Sequence, residues 1–166
     1  WFPVTQKKIL MLGAFAVGKT SLTERFVTSS FSERYRTTVG VRIHKKVVRV
    51  AGRKLTLIIW DLAGEDEFVA IRTPYLRGAA GYLLVADGTR ADTLRKACEL
   101  RERARGAIGE APFVLLLNKH DRLEDWALQE GSVAGLIKNG WDVRAVSAKS
   151  GDGVEDAFLS LAARLV

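Results

Sequence analysis

Short apolar runs alternate along this chain with longer stretches in which apolar positions recur every three or four residues. These are the two periodicities that separate strands from helices. Strands are predicted at 7–12 (KKILML), 41–50, 54–60 (KLTLIIW), 81–87 (GYLLVAD), 112–118 and 142–147, and helices at 18–28, 66–77, 92–107, 124–138 and 153–165. The turn AGRK at 51–54 is too short for a helical crossover, so the strands on either side form an antiparallel hairpin. Helices separate the remaining strands, whose nearly continuous apolar character suits burial on both faces. The expectation is an α/β fold, a three-layer sandwich on a six-stranded, mostly parallel sheet with one antiparallel hairpin edge strand and five helices. No internal repeat or low-complexity segment interrupts the pattern, and 1–166 reads as a single domain.

Helix 92–107 illustrates the local logic. Asp92 is placed to cap or charge its N-terminus, where unpaired amides and the helix dipole favour a carboxylate. Leu94, Ala97, Cys98, Leu100 and Ala104 fall on one face, toward the sheet. Arg95, Glu99, Arg101, Glu102, Arg103 and Arg105 supply the solvent face, and Gly106 marks the stop.

Composition narrows the class. Hydrophobic residues make up 48% and charged residues 27%, and no apolar run approaches the roughly 18–20 residues of a membrane span. With no signal-peptide pattern and no CaaX tail for a lipid anchor, cytoplasmic residence and a monomeric state are expected. The chain opens on Trp1 rather than methionine, as a segment excised from a longer protein would. Its single cysteine, Cys98, excludes an internal disulfide and a multi-thiolate metal site, and reads as a buried structural thiol. The two histidines, His44 and His120, have no zinc-binding spacing around them.

The net charge of +7 is concentrated. Between Glu33 and Lys54 lie Arg34, Arg36, Arg42, Lys45, Lys46, Arg49, Arg53 and Lys54 against a single acid, an excess equal to that of the whole chain. Two readings stay open: a solvated edge whose lysines blunt aggregation, or a docking edge at 33–54 for an acidic protein or membrane surface. Nucleic acid is not expected as a partner, because no aromatic platforms are interleaved with these cations.

The chemistry lies at the ends of the predicted strands. GAFAVGKTS at 13–21 places Gly13, Gly18, Lys19 and Thr20 between a strand and a helix, the context that makes this spacing a P-loop. Backbone amides of Gly13, Ala14, Phe15, Ala16, Val17, Gly18 and Ser21 are candidates for binding phosphate oxygens, aided by the helix N-terminus. Lys19 is placed to reach the β- and γ-phosphates and the Thr20 hydroxyl to ligate Mg²⁺. WDLAGED at 60–66 adds Asp61 for Mg²⁺ and Gly64, whose amide can meet the γ-phosphate; YRTTVG at 35–40 offers Thr38 as a second hydroxyl ligand.

The base is specified further along. In NKHD, 118–121, Asp121 can accept two hydrogen bonds from guanine, whereas adenine would leave that carboxylate unpaired. Such sites reject analogues lacking the group by about 10⁴–10⁵. Asn118 braces the loop and the stem of Lys119 can cover one face of the base. SAK, 147–149, supplies Ser147, Lys149 and the Ala148 amide for the guanine oxygen. An ATP-dependent kinase does not fit the Asn118–Asp121 pair or the lack of a lid segment.

With these motifs in order, the chain resembles a small GTPase of the Ras superfamily, nearest to its Rab and Rho branches, from about Lys7 to its end. YRTTVGV and PYLRGAAG are the Rab-like stretches. The resemblance implies the P-loop NTPase fold and a cycle between GTP and GDP states with Mg²⁺. It further implies switch segments at 32–42 and 62–77 that meet effector and regulator proteins. Phe31 matches the family's aromatic against the base and Tyr35 the tyrosine over the phosphates.

Two residues depart from that pattern: Phe15 stands where the family has glycine, and Glu65 where it has the water-orienting glutamine. Phosphoryl transfer in such sites rests on positioning and electrostatics, so both changes bear on the catalytic set of Lys19, Gly64, Glu65 and Phe15. Slow hydrolysis and a blocked arginine finger are expected. Phe15 either obstructs the γ-phosphate side or folds back on apolar neighbours as a shield. Arg34 and Arg36 are read as surface arginines ahead of an arginine acting in cis. The alternative function is a nucleotide-binding interaction module without useful turnover, docking partners through its basic edge.

Overall fold

A computed structural model describes residues 5–28, 41–62 and 72–166. The sheet has six strands in the order β2-β3-β1-β4-β5-β6: β1 Thr5–Gly13, β2 Val41–Val50, β3 Arg53–Leu62, β4 Gly81–Asp87, β5 Phe113–Asn118 and β6 Val143–Ala145. β2 runs antiparallel to β3, and every other pairing is parallel. Helices α1 Lys19–Thr28, α2 Thr73–Leu76, α3 Asp92–Ile108, α4 Glu130–Lys138 and α5 Val154–Ala163 complete it. This is the expected α/β sandwich of Ras-like P-loop proteins, with its hairpin at the predicted edge.

Alternation along β1 sorts the core into two layers. Ile9 and Met11 join Leu22, Phe26, Phe158 and Leu161 on the α1/α5 side. Leu10 and Leu12 join Leu94, Ala97, Leu100 and Ala104 on the α3 side, as the period of two requires. The Phe26 and Phe158 rings stack at 4.1 Å between centroids and fix α1 to α5. The hairpin turns on Ala51 and Gly52, both left-handed at φ 51° and 75°, with Val50 paired to Arg53. That is the backbone a two-residue hairpin loop demands.

Several boundaries differ from the sequence reading. The predicted helix 124–138 is a 3-10 turn at Leu123–Asp125, an extended link, and then α4 from Glu130. The link is held out of helix because the Ala127 amide donates to the Gly88 carbonyl at 2.8 Å. The Trp126 ring also fills the space beside Gly88, where an added Cβ would lie 1.9 Å from it. α3 runs through Gly106 to Ile108 and ends at Gly109. Asp92 adds first-turn charge, but no side chain caps the N-terminus of α3; the Thr93 hydroxyl donates back to the Arg90 carbonyl at 2.7 Å. Cys98 is half-buried rather than buried, on the flank of the apolar stripe. β6 covers only Val143–Ala145 of the predicted 142–147, although the Val146 amide still donates to the Leu117 carbonyl of β5 at 2.9 Å. Of predicted helix 66–77, only 72–77 is described, and α2 covers four of those residues.

Candidate functional site

The C-terminal ends of β1, β3, β4, β5 and β6 share one edge of the sheet, the edge where open α/β sheets bind ligands. After β1, residues 14–18 turn into α1 with Ala16 at φ 61° and Gly18 at φ 103°. Only glycine fits the second position, since a Cβ there would lie 2.3 Å from the Asn118 amide nitrogen. Lys19 is 5% exposed and its Nζ donates to the carbonyls of Ala14 at 3.2 Å and Gly13 at 3.4 Å. Burial lowers its pKa to about 8, partly opposed by the charge of Asp61.

Asp61 stands at the end of β3, buried, and accepts a 2.6 Å hydrogen bond from the Thr20 hydroxyl. Burial raises its carboxyl above the ordinary range, against that hydrogen bond and the charges of Lys19 and Arg42. A buried carboxylate beside a hydroxyl is a hard-oxygen donor pair in need of positive charge. That chemistry fits Mg²⁺.

Asn118 ties three segments together. Its Nδ2 donates to the Val17 carbonyl at 2.9 Å, and its Oδ1 accepts from the Ala148 amide at 3.2 Å. Asp121 accepts from the Ser147 hydroxyl at 2.7 Å, which holds its carboxyl below the ordinary range. Arg25 of α1 donates to the carbonyls of Ala148 at 2.9 Å and Lys149 at 2.5 Å, closing the ring from the other side. Lys119, at φ 69°, sends its ammonium to Asp87 at 2.7 Å, which fixes the stem expected to cover a base.

A cavity of about 610 Å³ opens among these groups, lined by Gly18, Ser21, Glu24, Arg25, Asn118, Lys119, Asp121, Arg122, Ala148 and Lys149. Its size is that of a small-molecule site. The structure thus gathers Lys19, Thr20, Asp61 and the phosphate-loop residues with Asn118, Lys119, Asp121, Ser147, Ala148 and Lys149. Phe15 is 65% exposed, so the ring does not fold back as a shield. Phe31, Arg34, Tyr35, Arg36, Thr38, Gly64 and Glu65 lie outside the described residues, as do most of 32–42 and 62–77.

Residues 8–166, nearly the whole chain, match the profile of the Ras family. The chain belongs to the Ras family. Among its relatives, the Ras-related protein Rab-12 of Mus musculus is 35% identical over 159 residues, covering 93% of this chain and 65% of that protein. Rab-13 of Canis lupus familiaris is 35% identical over 157 residues, covering 93% of this chain and 77% of that protein. Rab-7a of Paramecium octaurelia is 34% identical over 162 residues, with 93% and 79% covered. The chain therefore spans just under two thirds of the length of Rab-12. Within the Ras superfamily it is most like the Rab proteins among these relatives.

Within this Ras-family frame the sequence reading missed five residues at the site, among them Arg122, which lines the cavity one position after Asp121. Asp87 ends β4 as Asp61 ends β3, and the same argument from a strand-terminal carboxylate in GYLLVAD finds it. Arg90 donates to the Phe15 carbonyl at 2.7 Å, a contact across 75 positions that no spacing announces. Glu24 and Arg25 reach the cavity because α1 turns that face toward it.

Proposed function

We propose that this chain is a guanine-nucleotide-dependent molecular switch that binds GTP and GDP with Mg²⁺ and hydrolyses GTP slowly. The observation that carries the reading is the Asn118 clamp, which joins the phosphate loop to the two segments on the base side. In this reading the amides of Gly13, Ala14, Phe15, Ala16, Val17 and Gly18 and the Lys19 ammonium hold the phosphates. Asp121 selects guanine, supported by Ala148 and by the anchored stem of Lys119.

Thr20 and Asp61 would hold the Mg²⁺, with Thr38 as a further ligand. Bound there, the ion supplies positive charge to a triphosphate and its leaving group. Lys19 offsets negative charge on the phosphates, Gly64 offers its amide to the γ-phosphate, and Glu65 orients the attacking water. The exposed Phe15 crowds the approach of a partner's arginine. Effectors and regulators dock at the switch segments, and the protein works as a cytoplasmic monomer.

Chromatography of the nucleotide released from purified protein, followed by single-turnover hydrolysis, tests this reading. Bound guanine nucleotide with slow turnover is expected. A protein that binds ATP as well as GTP overturns the reading, and rapid hydrolysis overturns the slow-turnover part of it.

A second reading has an observation of its own. On the outer face of β2, Ile43 and Val47 are 49% and 57% exposed and alternate with exposed Lys45 and Arg49. A purely solvated edge has no need of exposed Ile and Val, so a docking edge is favoured over a merely protective one. If this edge binds its partner equally with GDP and a non-hydrolysable GTP analogue, the chain is a constitutive module, because a ligand shifts an equilibrium only through differential affinity.

A further inference from the structure

Asp87 is fully buried at the end of β4 and paired in register with Asn118. Its Oδ1 is occupied locally, accepting from the Thr89 amide at 2.8 Å and the Thr89 hydroxyl at 2.6 Å. That turn orients the carboxylate and leaves Oδ2 for two cations. Lys119 reaches it from the base loop at 2.7 Å, and Arg90 Nε reaches it at 3.3 Å. The same guanidinium then donates through Nη2 to the carbonyl of Phe15, at the tip of the phosphate loop, at 2.7 Å.

Arg90 is itself pinned. Its amide donates to the Asp87 carbonyl at 2.9 Å, and its carbonyl accepts from the Thr93 hydroxyl at 2.7 Å. The Thr93 oxygen in turn accepts from the Asp87 amide at 2.8 Å. A planar fork held this way can span a carboxylate and a carbonyl together, which an ammonium on a flexible stem cannot. Lys119 already neutralises Asp87, so the second arm of Arg90 has a separate consequence.

We propose that Arg90 is a positioning residue that sets how long nucleotide stays bound, by bracing the tip of the phosphate loop against Asp87. Asp87 serves two arms, Arg90 to the phosphate loop and Lys119 to the base loop. This rests on the guanine-nucleotide reading of the pocket.

The test loads the whole protein with N-methylanthraniloyl-GDP and follows release during a chase with unlabelled GDP. Arg90→Ala is expected to release label about tenfold faster, 1.4 kcal/mol by the usual conversion. Arg90→Lys is expected to fall between, at about threefold, because one of the two acceptors is lost. The affinity ratio of GDP to IDP stays unchanged in Arg90→Ala, since Asp121 and Lys119 keep their partners. In an Asp87→Asn background the Arg90→Ala effect shrinks below about threefold, as coupled sites require. Release within twofold of the parent in Arg90→Ala overturns the brace. So does a GDP-to-IDP ratio that collapses with it, which marks general loosening. Should Asp87→Asn fail to fold, the graded order of Ala, Lys and parent still decides. A parent protein that never retains GDP overturns the nucleotide reading itself, and the brace with it.

Discussion

The base side of the pocket and the tip of the phosphate loop are neighbours held in opposite ways. On the base side, Asn118 is 2% exposed and bonds to both flanking loops, and Ser147 fixes Asp121. At the tip, Phe15 lies 65% exposed, Ala16 sits left-handed at φ 61°, and a partly exposed arginine holds the Phe15 carbonyl. Buried polar networks are costly unless every member is satisfied, so the base side tolerates little change. The tip depends on one arginine's two arms. The two regions of one loop system are therefore held by different kinds of contact.

Breaking the clamp has the largest expected effect. Asn118→Ala leaves the Val17 carbonyl and Ala148 amide unpaired, at about 1–3 kcal/mol each when buried. GDP affinity should fall by about 10²-fold or more, read by titration calorimetry. A loss under threefold would mean that the loops keep their shape without the clamp and that the contrast between the two regions is unfounded.

Phe15→Gly addresses the other region. With phosphate held by amides and Lys19, as proposed, GDP affinity should stay within about twofold. Single-turnover GTP hydrolysis should rise about tenfold, or 1.4 kcal/mol off the barrier, as the γ-phosphate side is cleared. Fast hydrolysis in the parent, unchanged in the variant, would make Phe15 a bystander.

The contrast also explains what the sequence disclosed. The elements and the base-side residues were legible because strand-end motifs are local: GAFAVGKTS, NKHD and SAK each carry their chemistry in consecutive residues. Asp87 was legible by the argument that found Asp61, though it was not drawn. Arg90 was not, since its partner is Phe15 across the sheet edge. The break between Asp125 and Glu130 was hidden too. It depends on Trp126 packing beside Gly88, and the apolar periodicity of 124–138 carries no trace of that contact.

A pH series sharpens the phosphate side with a smaller effect. Burial holds Lys19 at about 8 in the free protein, whereas a bound polyphosphate requires the charged ammonium. Affinity for GDP should weaken as pH rises through that value, about fourfold between pH 7 and 8.5 for a single proton. Folding has the opposite sign. The lowered pKa penalises the folded state while Lys19 is charged, so nucleotide-free protein gains stability as pH rises from about 8 toward the ordinary lysine value. Affinity flat across this range would mean that Lys19 is not buried as a cation in the free loop.

The smallest effect compares the loop tip with a turn of like backbone far from the site. Ala16 and Ala51 are both left-handed, at φ 61° and 51°, a conformation that costs an L-residue roughly 1–2 kcal/mol. Glycine relieves that strain but adds about 0.4–1 kcal/mol of unfolded-state entropy. Ala51→Gly should therefore gain up to about 1 kcal/mol, a rise of roughly 2–4 °C in melting temperature for a chain of this size. If the phosphate loop is shaped by its own backbone, Ala16→Gly gains the same. If its shape comes from Arg90 and Asn118, the added freedom at Ala16 is absorbed by those contacts, and nucleotide release stays within twofold of the parent. Faster release in Ala16→Gly, with Ala51→Gly unchanged, would place the stiffness of the tip in Ala16 itself.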